Sequence, residues 1–251
     1  MSLISVLLIA GTGRPYLADA IRSLTCQDLS DWEAIVVEAC ADAKDTENVF
    51  RQIEEVGDSR VRVLSYEGDR RFPPYAGRKW NVALAHATGS FVSFLDDDDL
   101  KEENWFSAML APFLADSKLV TTLCDVISID VFGNKQGVMG ASLDQKALLT
   151  PHFVTTGQMM IRRDVLQALG GFDAELPCSE DYDLALRLSV YPWVNVRTVN
   201  SLKRDGDRNA SCHEDVIMYT RNALARIAKT RKLGFSMFPW FVYGNYTLNK
   251  P

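Results

Sequence analysis

Four short, β-rich runs set the architecture of this 251-residue chain: Ser2–Ile9, Trp32–Val37, Val61–Ser65 and Phe91–Leu95. Runs this short and this continuously apolar suit strands covered on both faces. Between them the apolar residues fall at helical spacing: Tyr16, Ala20, Ile21 and Leu24, then Val49, Ile53 and Val56, then Val82, Leu84, Ala85 and Ala87 up to a stop at Gly89. Gly68, Pro73, Pro74 and Gly77 break residues 66–77 into a loop. Strand and helix in strict alternation predict an α/β fold with a mostly parallel central sheet flanked by helices and joined by right-handed crossovers. Ligands of such sheets sit beyond the carboxyl ends of the strands.

The second half is less regular. Trp105, Phe106, Met109, Leu110, Phe113 and Leu114 define an amphipathic helix. Leu119–Ile129 reads as a strand and Gly133-Asn134 as a hairpin turn. Residues 134–157 carry few signals and are expected to form a loop over the site. Val154–Ile161 reads as a strand, and Asp164–Leu169 as a short helix ending at Gly170-Gly171. There is no internal repeat and no low-complexity linker, so one domain is expected over residues 1–220. A basic helix and aromatic tail, residues 221–251, follow it.

The formal net charge of −6 disfavours nucleic acid as a partner. A phosphate-bearing substrate would need local positive charge or a metal. Five cysteines, Cys26, Cys40, Cys124, Cys178 and Cys212, form no CxxC pair, so neither a zinc site nor a disulfide framework is expected. Met1–Ala10 lacks the basic start of a signal peptide, and no run approaches the ~18 apolar residues of a membrane span. A cytoplasmic protein is expected.

Asp96-Asp97-Asp98-Asp99 follows the fourth strand directly. Four successive carboxylates at a strand end make a hard, oxygen-rich site that suits Mg²⁺ or Mn²⁺. An extended backbone would put Asp96 and Asp98 on one face and Asp97 and Asp99 on the other. The competing reading is a solvated acidic turn that caps a helix. Glu180-Asp181 likewise reads either as chemistry or as acidic residues at a helix start capped by Ser179. Gly170-Gly171 is either a helix stop or a close approach to a ligand. Trp80 and Trp105 read as core residues before sugar platforms.

Taken in order, these motifs resemble family 2 glycosyltransferases of the GT-A fold. The resemblance rests on Ile9-Ala10-Gly11-Thr12-Gly13-Arg14, Glu38, Gly77-Arg78-Lys79-Trp80-Asn81, Asp96-Asp97-Asp98-Asp99, Gly170-Gly171-Phe172-Asp173 and Glu180-Asp181, and covers roughly residues 3–215. It implies a single GT-A type domain with a nucleotide-binding half at about 1–100 and an acceptor half at about 101–220. It implies a nucleotide-diphospho-sugar donor, a Mn²⁺ or Mg²⁺ ion, a glycan or lipid-linked acceptor and inversion at the anomeric carbon. Residue by residue, Gly11, Glu38, Arg78, Lys79, Asp96, Asp97 and Arg204 would bind the donor. Glu38 would lie at the base, Arg78 and Lys79 near the base or diphosphate, and Asp96 at the ribose. Asp98 would hold the metal, Asp181 would be the general base, and Glu180 would support it or contact the acceptor. The chain reads Glu38-Ala39-Cys40-Ala41 where the family often has Asp-Asp-Gly-Ser, and Trp80 where an Arg often precedes the Asn. A family His near residue 205 is absent; Asp205, Asp207 and His213 are the candidates for its place, with His213 named as a metal ligand.

The residues fit that chemistry. Charge grows on a departing diphosphate and calls for a cation. A poor hydroxyl nucleophile calls for a positioned carboxylate. Two rivals share the scaffold: a non-catalytic nucleotide-sugar or glycan-binding module, and a sugar nucleotidyltransferase. The tail, with Arg221, Arg226, Lys229, Arg231 and Lys232 followed by Phe235, Phe238, Trp240 and Phe241, is expected to pack on the domain or on a second subunit in a homodimer. Peripheral contact with the inner face of the membrane is the alternative.

Overall fold

A computed structural model describes residues 3–70, 75–144, 154–177 and 179–204. The expected boundary near residue 220, the basic and aromatic tail, and His213 lie outside the described residues.

The first half follows the β-rich runs closely. β1 (Ile4–Ala10), β2 (Trp32–Glu38), β3 (Val61–Ser65) and β4 (Phe91–Asp96) alternate with α1 (Leu17–Thr25), α2 (Ala43–Val56) and α3 (Ala76–His86). β1 and β2 are buried along their whole length, which is why their sequences show no polar alternation. The second half adds β5 (Leu100–Lys101), α4 (Trp105–Ala115), β6 (Thr121–Ile129), β7 (Lys135–Met139), β8 (Met159–Arg162), α5 (Arg163–Ala168), α6 (Glu180–Leu188) and β9 (Trp193–Arg204).

The nine strands of the described residues form one sheet in the order β3-β2-β1-β4-β8-β6-β9-β5, with β7 paired to β6. β3, β2, β1 and β4 are parallel. β8 is antiparallel to both β4 and β6, and β6 and β9 are parallel again. The sheet is therefore parallel on its nucleotide-type side and mixed beyond β4. Alternate residues of β1 feed two cores: Leu7 and Ile9 pack beneath α3, α5 and α6, while Val6, Leu8 and Ala10 pack against α1, α2 and α4.

Two expectations change in the second half. Val154–Ile161 is not one strand: Thr155 and Gln158 form a reciprocal capping box around a single 3₁₀ turn at Thr156–Gln158, and β8 starts only at Met159. Residues 135–139 form a strand rather than loop, because the expected turn at Gly133-Asn134 does close a β6–β7 hairpin. Asp130 Oδ1 accepts from the backbone N–H groups of Phe132 and Asn134, and Gly133 supplies the left-handed residue. Among the described residues no helix is long and apolar enough to cross a membrane.

Candidate active site

The parallel strands deliver their carboxyl ends to one edge, and the singled-out motifs gather there. β4 ends in Asp96, and the next residues fold into a turn closed by Asp99 N–H donating to the Asp96 carbonyl at 3.2 Å. The aspartates therefore do not alternate faces as an extended segment would. Each of the next three is buried and turned to a different neighbour. Asp97 accepts from the backbone of Gly11 and weakly from Thr12 Oγ1 at 3.4 Å. Asp98 is ion-paired with Arg14. Asp99 accepts from Arg204 N–H at 2.9 Å and lies 3.8 Å from Lys203 Nζ.

Burial and mutual repulsion raise all three carboxyls. Asp97 is pushed up to about 7, first by burial and then by Asp98, with Arg14 working in the opposite direction. Asp99 is also pushed up to about 7 by burial, with Lys203 offsetting part of the rise. Burial raises Asp98, with Asp96 adding to it and Arg14 opposing.

Arg204 is fixed rather than free to swing. Its Nε donates to the Asp98 carbonyl at 3.1 Å, its Nη1 to the carbonyls of Asp130 and Val131, and its guanidinium lies 4.3 Å from the Tyr16 ring centre. Behind the turn, buried Lys101 donates to the Gly157 carbonyl and to Ser201 Oγ, with its ammonium 4.0 Å from the Trp105 ring centre. Burial lowers Lys101 to about 8.

The second wall of the cleft is built from α3, α6 and the Gly-Gly-Phe-Asp segment. Asn81 clamps Phe172 with two bonds of 2.8 Å, donating to its carbonyl and accepting from its N–H. A Cβ on Gly77 would lie 3.1 Å from the Asp173 carbonyl oxygen, and one on Gly171, at φ 68°, would run into Asn81. Gly170-Gly171 thus ends a helix, and at Gly171 the close approach is to Asn81 of α3 within the protein. Trp80 is stacked on Phe172 and edge-on to Phe94, and is core, as is Trp105.

The α3 and α6 N-termini are each preceded by a non-glycine residue in the left-handed region, Tyr75 (φ 68°) and Ser179 (φ 61°). Such strained positions concentrate where side chains must be aimed. Ser179 makes no side-chain cap bond to α6, contrary to expectation. Glu180 and Asp181, both half-buried, open α6. Burial pushes Glu180 up to about 8, followed by repulsion from Asp181, and Asp96 also acts on it. Burial pushes Asp181 up to about 6, against a 2.7 Å bond from Tyr182 N–H, and Asp96 raises it further. Asp96 is therefore close enough to the α6 pair for its charge to raise both carboxyls. Lys79 is buried beside Glu180 and lowered to about 8 by that burial.

Like Arg204, the expected donor residues Glu38 and Arg78 are engaged within the protein. Glu38 is fully buried and accepts from Cys40 N–H at 2.9 Å, Thr46 Oγ1 at 2.8 Å and Arg70 at 2.9 Å. Arg78 donates to the Ala174 carbonyl at 2.7 Å and stacks over Tyr75 at 4.2 Å. Gly11, Lys79, Asp96, Asp97, Asp98, Glu180, Asp181 and Arg204 do converge. Lys101, Lys203 and Arg70 were missed, and Arg14 was read only as the end of a loop motif. Each is a cation whose partner lies far away in sequence, so only an excess of basic residues flanking the acidic run could have pointed to them.

A family model described as glycosyl transferase family 2 matches residues 5–170. The chain belongs to glycosyl transferase family 2. It is 27% identical over 176 residues to the O-antigen biosynthesis protein RfbC of Myxococcus xanthus, spanning 69% of this chain and only 13% of that protein. It is 26% identical over 208 residues to WcaA of Escherichia coli, named for a colanic acid biosynthesis glycosyl transferase, spanning 76% of this chain and 68% of that one. It is 29% identical over 98 residues, 39% of this chain and 36% of the relative, to the UDP-Glc:alpha-D-GlcNAc-diphosphoundecaprenol beta-1,3-glucosyltransferase WfgD of Escherichia coli. Among solved structures, S. aureus TarS 1–349 in complex with UDP-GlcNAc superposes with a TM-score of 0.66 at 20% identity, covering 90% of this chain and 66% of that one. The mannosyltransferase PcManGT of Pyrobaculum calidifontis, in complex with GDP-Man and Mn²⁺, superposes with a TM-score of 0.66 at 18% identity, covering 92% and 64%. The fold is that of GT-A glycosyltransferases.

The family 2 site fits a hard divalent ion of the open kind. Among the described residues no group of three His, Cys, Asp or Glu is set to cage a metal. Mg²⁺ and Mn²⁺ commonly take one or two carboxylates and complete their shell with water and substrate phosphates. Asp98, with Asp96 beside it, could supply such a partial set, and the burial and neighbouring carboxylates that raise Asp97 and Asp98 are what a bound cation would offset.

Proposed function

We propose that this family 2 chain transfers a sugar from a nucleotide-diphospho-sugar to a hydroxyl of a glycan or lipid-linked saccharide, with inversion and with Mn²⁺ or Mg²⁺ bound at Asp98. One observation supports the reading: the Asp96–Asp99 turn, flanked by Arg14, Lys203 and Arg204, lies near enough to the Glu180-Asp181 pair for Asp96 to raise both of its carboxyls. Cations and proton-accepting carboxylates are thus brought to one end of the sheet. Neighbouring folds bind UDP-GlcNAc, or GDP-Man with Mn²⁺, and one relative is named for a diphosphoundecaprenol acceptor, which supports the donor and acceptor classes.

The acceptor hydroxyl oxygen attacks the anomeric carbon, the bond from that carbon to the β-phosphate oxygen breaks, and its electron pair leaves with the nucleoside diphosphate. Asp98 would hold a divalent ion, which would supply positive charge to that leaving group. Asp181 takes the hydroxyl proton. Its carboxyl, raised by burial, is more basic than an exposed aspartate. Glu180 is raised too, by burial and by Asp181, so the two titrate as a pair. Lys79 and the fixed Arg204 keep the site's walls in register with the phosphates.

The test offers a panel of UDP- and GDP-sugars, Mn²⁺ and a lipid-linked or soluble glycan acceptor to the full chain, and measures the nucleotide product. Nucleoside diphosphate release that stops with a chelator is the expected result. Pyrophosphate release would identify a nucleotidyltransferase instead, and tight donor binding with no turnover on any acceptor would identify a binding module.

A further inference from the structure

The acidic turn already contains a cation. Arg14 pairs with the Asp98 carboxylate at the position where that carboxylate would meet a metal, and both side chains are nearly closed to solvent, at 10% and 9% exposure. The loop that carries Arg14 is held from α2: Asn48 Nδ2 donates to the Gly13 carbonyl at 2.7 Å, and buried Gln52 donates to the Arg14 carbonyl at 2.8 Å while accepting from Ala18 N–H at 3.2 Å. Gly13 sits at φ 60°, where a side chain would collide with Asp45. The backbone of Arg14 is thereby set, and the side chain reaches Asp98 across 84 residues of sequence.

The other two cations have different duties. Arg204 is tied to four backbone and carboxylate groups, and Lys203 stands nearest Asp99. Of the three, Arg14 alone makes its ion pair with Asp98 and stands on a loop rather than a strand.

We propose that Arg14 is the protein's own counter-ion to Asp98 at the donor site, giving up Asp98 only when a nucleotide diphosphate is present to receive its charge. This rests on the donor and metal reading above. A guanidinium and a divalent ion compete for one carboxylate and repel each other, so an ion arriving alone must strand a nearly buried arginine. A diphosphate removes that penalty by offering Arg14 a new anionic partner. Ion and nucleotide then bind with positive coupling, each strengthening the other by the same factor. The arrangement keeps the site from trapping free metal and makes the donor–metal complex its ligand.

The experiment is a Mn²⁺ titration followed by the paramagnetic resonance of the free ion, with and without UDP or GDP, in wild type, Arg14→Gln and Arg14→Lys. Phosphate ligation gives some coupling in any such site, so the deciding quantity is Mn²⁺ without nucleotide. Arg14→Gln should bind it about tenfold more tightly than wild type, within the usual range of such couplings, and should bind UDP or GDP without metal more weakly. Arg14→Lys should restore the wild-type values. Unchanged Mn²⁺ affinity in a folded Arg14→Gln overturns the proposal. Should that variant not fold, the wild type decides by NMR: the Arg14 guanidinium resonances should move when Mg²⁺ and nucleotide are added together and stay put with Mg²⁺ alone, and the reverse overturns it. If neither UDP nor GDP binds with Mn²⁺, the functional reading fails and this one with it. If they bind and Arg14→Gln does not tighten Mn²⁺, only the role of Arg14 fails.

Discussion

Glu33 and Asp97 are both buried carboxylates on the parallel half of the sheet, one near the amino end of β2 and one just past the carboxyl end of β4. Glu33 accepts from Ser5 Oγ at 2.7 Å, from Thr88 N–H at 2.7 Å and Oγ1 at 2.8 Å, and from Arg62 at 2.7 Å. Burial alone would raise it, but these donors together outweigh burial and hold it down at about 2. Asp97 receives a backbone bond from Gly11 and a long one from Thr12, with Asp98 beside it, and rises to about 7. Both are buried; what separates them is the supply of donors and the company of like charge. The amino end of the sheet is finished by its own side chains. The carboxyl end gathers buried carboxylates with fewer donors apiece, an arrangement that the proposed cation would relieve.

The largest effect that can break this contrast is catalytic. Asp181→Asn should lower the rate of transfer by roughly 10²–10⁴-fold, the usual worth of a positioned base, while nucleotide binding measured by calorimetry stays near wild type. Wild-type turnover in that variant would mean the carboxylates at this end serve only the cation. Next in size is a pair of stability measurements in urea, in the presence of a chelator. Glu33→Gln leaves donors of Ser5, Thr88 or Arg62 without a full acceptor and should cost about 1–3 kcal/mol. Asp97→Asn keeps an oxygen for Gly11 and removes a repelling charge, so it should be neutral or stabilising. Equal losses in the two variants would erase the distinction between the ends of the sheet.

The same contrast explains what could be read from the sequence. The parallel half was legible almost to the residue because β1 and β2 are covered on both faces, so burial writes itself as unbroken apolar runs. The order of the site motifs was legible too, since each sits at a strand or helix end. Their pairing was not. Asn81 meets Phe172 across 91 residues, and Lys101 meets Ser201 across 100. A lysine in sequence reads as a solvated charge, and nothing local says that Lys101 is sealed beneath Trp105. The four aspartates misled for a related reason: side-chain alternation holds only while the backbone stays extended, and here the chain turns at once to distribute three carboxylates among three separate partners. The capping box at Thr155–Gln158 likewise replaced strand with turn through side-chain bonds that hydrophobic periodicity does not register.

The smallest effect lies in the pH dependence of stability, and it should carry opposite signs at the two ends. Glu33 has a folded value of about 2 against an ordinary 4.5, so its contribution is present above pH 4.5 and is lost as the pH falls toward 2. Asp97 has a folded value of about 7 against an ordinary 3.8, so the folded state holds a proton that the unfolded chain has released, and stability falls as the pH rises from about 4 through 7. In chelator, thermal melts of the wild type should therefore decline between pH 5 and 7 by an amount on the order of 1–2 kcal/mol, less than the full value of ~1.4 kcal/mol per pKa unit because water reaches the open end of the sheet. Asp97→Asn should reduce that decline and leave the acid limb intact, Asp99→Asn should reduce it in the same direction because Asp99 is raised to about 7 as well, and Glu33→Gln should remove the acid limb and leave the neutral one. Mn²⁺ with nucleotide should flatten only the neutral limb, since positive charge at Asp98 lets Asp97 ionise in place. A neutral limb that persists in Asp97→Asn would place the unpaired charge elsewhere on the carboxyl edge, and the Glu180-Asp181 pair, raised by burial and by Asp96, would be the next to substitute.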